Sequence, residues 1–96
     1  FLALAMAAFV ERDDGTFENW CDKVIQQNPN APIRRALMIA FAAQKGDGSL
    51  IHLHRDALMQ FAPDHIGSVF RGENQLYVKP EHMDLLLDGL RKAGFP

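Results

Sequence analysis

The chain alternates between long apolar stretches and short polar breaks. Residues 1–10 (Phe1-Leu2-Ala3-Leu4-Ala5-Met6-Ala7-Ala8-Phe9-Val10) are apolar throughout and stop at Asp13-Asp14-Gly15, a turn signal. A run this short cannot span a bilayer, which takes roughly 20 residues, and it reads as a buried core helix. Thr16 is the expected N-cap of a second helix, with Phe17, Trp20, Cys21, Val24 and Ile25 on one face. Asn28-Pro29-Asn30-Ala31-Pro32 breaks it. A third helix is predicted from about Ile33 to Gln44. It is apolar all round from Ala36 to Ala43, the pattern of a central core helix, and Gly46-Asp47-Gly48 closes it.

The C-terminal half is read with strands. Ser49 to Leu53 predicts a short strand, and Asp56 to Phe61 a short helix ending before Pro63. Ser68 to Arg71 and Gln75 to Val78 predict two strands joined by Gly72-Glu73-Asn74, a hairpin signal. The last helix begins at Pro80, carries Met83, Leu86, Leu87 and Leu90 at helical spacing, and stops at Gly94. The expected fold class is therefore α+β, mainly α: a winged-helix-like helical core with a short strand and a C-terminal β-hairpin.

Composition narrows the function classes more than the fold. The 96 residues suit a single domain, and the 48% hydrophobic and 23% charged fractions are those of a globular chain. The missing initiator Met suggests a piece of a longer protein. The formal net charge of −2 supplies no global attraction to nucleic acid or anionic lipid, so such binding would need a local patch. The single cysteine, Cys21, excludes an internal disulfide and points to a reduced, cytoplasmic setting; its place on an apolar helix face makes it a core thiol.

Candidate chemistry is sparse. On a strand, His52 and His54 would point to the same side and form half of a metal site. No further ligand stands at a recognisable spacing, so no metal or other cofactor is assigned. His54-Arg55-Asp56 matches a kinase tripeptide without the rest of the kinase signature, and Lys45-Gly46-Asp47-Gly48-Ser49 lacks the spacing of a phosphate loop. No nucleophile motif is present, and the chain is not expected to be an enzyme. Trp20, Phe41, Phe61 and Phe70 stand at core-like spacings, while Tyr77 is expected to be exposed on the hairpin. The candidate nucleic-acid contacts are Arg34, Arg35, Arg55, Arg71 and Lys79. Arg34 and Arg35 stand at the positive end of their helix, an unfavourable place for cations and a hint of an outside partner.

Three blocks, Gly48-Ser49-Leu50, Asp56-Ala57-Leu58-Met59 and Leu76-Tyr77-Val78-Lys79-Pro80, carry a family resemblance over about half of the chain. They resemble the winged-helix domain at the C-terminus of relaxase-type proteins of conjugative elements. That family shows a Gly-x-Leu strand, a D-A-L-V-H-like stretch, and a hairpin ending in L-x-V-S-P before a helix. Here Gln60 replaces the His and Lys79 the Ser. The resemblance implies a non-catalytic accessory module in DNA transfer or processing, with no catalytic residue. Two readings follow: a winged-helix-like module binding DNA or RNA, and a protein-interaction or oligomerisation module using surplus apolar helix surface. Neither calls for a membrane.

Overall fold

In the computed structural model, which describes residues 1–28, 31–73 and 76–95, six helices account for nearly all regular structure. They are α1 (Leu2–Glu11), α2 (Asp14–Gln27), α3 (Pro32–Lys45), α4 (Gly48–Phe61), α5 (His65–Phe70) and α6 (Pro80–Lys92). The described residues contain no strand, so the class is all-α and the expected α+β fold with its wing is overturned.

Local chemistry explains where each helix starts and stops. Arg12 takes a left-handed conformation (φ 59°) and ends α1. Asp13, not Thr16, caps α2: its carboxylate accepts from the Thr16 backbone N–H at 3.4 Å and from the Thr16 hydroxyl at 2.8 Å. Gly46 ends α3 in the left-handed region (φ 74°), which glycine enters without strain. Asp47 then caps α4 by accepting from Leu50 N–H at 3.2 Å.

That second cap overturns the expected Ser49–Leu53 strand. It nucleates a helix at Gly48 that runs unbroken through 14 residues, and Arg55 falls in its middle rather than at the start of a short helix. The first predicted hairpin strand is likewise helical. Residues His65–Phe70 form α5, with the Ser68 hydroxyl donating to the His65 carbonyl at 2.6 Å. The predicted turn residue Asn74 and Gln75, the first residue of the second strand, lie outside the described residues. Leu76 to Lys79 run on to Pro80 without regular structure.

The core is organised around α3, which packs against α4 and α6 and also touches α1 and α2. Its residues Ala36 to Ala42 are buried without interruption, as their all-round apolarity predicts. Phe17 bridges Phe9 and Phe41, with ring centroids 5.8 and 4.7 Å away. Leu86 and Leu90 of α6 are fully buried, and Gly89 between them lets the α6 backbone approach Ala40. Cys21 is a buried free thiol, its pKa pushed up to about 12 by burial, which keeps it protonated and unreactive. Tyr77, expected at the surface, is buried: its hydroxyl donates to the Met6 carbonyl at 2.7 Å and ties the segment after α5 to α1. Phe61, expected in the core, is instead exposed at the end of α4.

Candidate interaction groove and arginine cluster

The five predicted cations separate into two groups and one outlier. Arg34 and Arg35 lie in the first turns of α3, Arg55 on α4 and Arg71 just after α5 line a common groove, and Lys79 is exposed at the start of α6. They form no continuous basic strip.

The groove is about 450 Å³ in volume. Leu58 and Met59 of α4, Ile66 and Phe70 of α5, and Phe95 line it, with Arg55 and Arg71 at its polar edges. It lies where α4 ends at Phe61, the chain turns through Pro63-Asp64, and the short α5 begins at His65. Met59 is 57% exposed, so the groove opens to an apolar surface. The Arg55 guanidinium lies 5.1 Å from the Phe95 ring centroid and that of Arg91 5.6 Å from Phe70, so cations cover two of the aromatic rings.

The two edge arginines differ electrostatically. Arg71 is clamped between Asp64, at 2.7 Å, and Glu73, which together hold its pKa above the ordinary arginine value. Its charge is already balanced. Arg55 has no carboxylate partner among the described residues and is the groove's available cation. The ionisable groups lining the groove are these two arginines, so it offers no nucleophile and no acid or base that titrates near neutrality.

The second group sits where α3 and α4 meet. Two residues apart on a helix means opposite sides, so His52 is exposed and His54 is buried, and the expected same-side histidine pair does not form. Among the described residues no three His, Cys, Asp or Glu side chains come together to hold a metal ion. His54 Nδ1 accepts from Arg35 Nη1 at 3.2 Å. A guanidinium only donates, so the ring is neutral with its proton on Nε2. Burial, then the charges of Arg34 and Arg35, lower the His54 pKa to about 4.

Arg34 is 6% exposed, and burial, with repulsion from Arg35, lowers its pKa. Its Nε and Nη1 are sealed from solvent and make no hydrogen bond. The one sequence signal for this cluster was the pair of arginines at the positive end of α3.

No family model matches the chain, and no curated protein or solved structure matches it either. None of the described helices is long and apolar enough to cross a membrane.

Proposed function

We propose that this domain is a non-catalytic protein-interaction module whose groove between α4, α5 and Phe95 takes an apolar segment of a protein partner carrying an acidic residue for Arg55. The observation that carries the reading is the groove itself: an apolar trough lined by Met and Phe side chains, edged by guanidinium groups, with no carboxylate in its lining. Aromatic, Met and Arg side chains are the types enriched at protein interfaces. Methionine adapts its shape to an incoming side chain, and a cation resting on an aromatic ring is preordered for a carboxylate. An amphipathic helix with apolar residues on one face and Asp or Glu at its margin fits both features.

A nucleic-acid backbone fits less well. Arg71 is already neutralised by Asp64 and Glu73, Arg34 is buried, and the described residues contain no wing. Counterion release from so few available cations supplies little affinity.

Selection from a random peptide library against the immobilised domain tests the proposal without knowledge of the natural partner. The expected yield is peptides that combine bulky apolar residues with Asp or Glu, and that the Met59→Asp variant no longer retains. Basic peptides, or peptides retained equally by Met59→Asp, would refute it, as would tight low-salt binding of an oligonucleotide that depends on Arg55.

A further inference from the structure

We infer that the segment the groove takes is α1 of a second copy of this chain, so that copies join head to tail with Glu11 of one meeting Arg55 of the next. The inference rests on the interaction reading of the groove and names its occupant.

The core uses α1 on one side only. Of its ten residues, Ala5, Ala8 and Phe9 are buried, while Ala3, Leu4, Ala7 and Glu11 are exposed. At 3.6 residues per turn those four fall within an arc of about 100°, so they form one continuous outer face. Leu4 is 47% exposed on that face. Glu11 is the one charged residue of α1, and it makes no ion pair among the described residues, neighbouring Arg12 included. It stands at the negative end of the helix dipole, where a carboxylate gains from a cation supplied from outside.

This face has what the groove asks for: apolar residues in helical spacing with an acid at one end. The charges are complementary. Arg71 is already held by Asp64 and Glu73, so Arg55 is the cation left to receive Glu11. The lengths agree as well. Leu4 and Glu11 are seven residues apart, about 10 Å along α1. Arg55 and Ala62, which line the groove from α4 and its end, have the same separation in sequence. A second α1 lying antiparallel to α4 therefore sets Glu11 against Arg55 while Leu4 reaches the apolar end by Ala62 and Pro63. Ala3 and Ala7 carry no bulk beyond Cβ, which lets the two helices come close.

The donor face and the groove share no residue. The contact is therefore heterologous, and each copy presents both halves of it. Copies add in a chain or close into a ring, the two-membered ring included.

Sedimentation velocity of the domain over a range of concentrations tests the inference. The weight-average mass of the wild type is expected to rise with concentration between about 10 μM and 1 mM, the range of a small interface. Glu11→Arg and Arg55→Glu, both at exposed or groove-edge positions, are each expected to weaken association by about tenfold or more. Mixing the two variants restores it, because each then meets an opposite charge. A wild type that stays monomeric throughout, association unchanged in either variant, or no recovery on mixing would each overturn the inference. The peptide selection separates this failure from that of the interaction reading. Acidic apolar peptides retained by a domain that stays monomeric would overturn the self-association alone, whereas a monomeric domain that retains no such peptide would remove both.

Discussion

Gly89→Val is expected to remove about 4 kcal/mol or more of stability, enough to unfold much of the population of a domain this size. Gly89 is the point where α6 meets α3. A Cβ placed there would lie 2.7 Å from the Ala40 Cβ, 3.0 Å from its Cα and 3.1 Å from its carbonyl oxygen. The opposing atoms are mostly backbone, so no rotamer change relieves the clash. The helices must separate, and Leu86 and Leu90 on either side lose their packing. The contrast is Gly15→Ala in α2, where a Cβ meets nothing within 4 Å. That change is expected to stabilise by about 0.5–1 kcal/mol through helix propensity and a more restricted unfolded chain. Urea unfolding of the two variants checks both signs, and a harmless Gly89→Val would mean that α3 and α6 do not approach as described.

The second large effect is on pH dependence. In the unfolded chain His54 titrates near its ordinary value of 6.5; in the folded domain it does so at about 4. Between those values the unfolded state binds the proton and the folded state does not, so acid favours unfolding. The stability contribution is complete above pH 6.5, declines as the pH falls, and is gone below about 4. The difference amounts to about 3 kcal/mol at most. His65, half-buried and also lowered in pKa by burial, adds in the same direction. Urea midpoints measured across this window for the wild type and for His54→Leu separate the two histidines. The variant is expected to lose most of the slope whatever its absolute stability, and an unchanged slope would place His54 in contact with water.

The sequence carried most of the helices and missed the architecture of the C-terminal half for identifiable reasons. α1, α3 and α6 were legible because long apolar runs or an i, i+3, i+4, i+7 stripe leave little choice of period, and Gly46, Pro80 and Gly94 mark ends. α4 was misread because Ser49 to Leu53, taken alone, is too short to separate a strand from a helix. The deciding signal was Asp47 as an N-cap, which places Gly48 inside the helix instead of in the turn. With α4 helical, His52 and His54 part company and Arg55 moves to mid-helix. The region from Ser68 to Arg71 has strand-like composition, but tertiary packing decides: Ile66 and Val69 bury against the core from one face of a six-residue helix. Of the site, Arg55 and Arg71 were both named, and the fold brings both to the groove. Their shared groove was not legible, since it depends on Phe95 and on the turn at Pro63. Arg34 and Arg35 stood out as misplaced charges, but the burial of Arg34 and the bond of Arg35 to His54 come from the packing of the helices.

The interaction reading turns on one charge at the edge of one groove. Calorimetric titration of an acidic peptide from the library selection into the wild type and into Arg55→Glu tests it most directly. Reversing Arg55 is expected to weaken binding by about tenfold or more, and a peptide with Lys in place of its acidic residue is expected to recover most of that loss on Arg55→Glu. Equal affinity of the acidic peptide for both proteins, or no recovery with the Lys peptide, would contradict the assignment of this groove and its cation to an acidic partner segment.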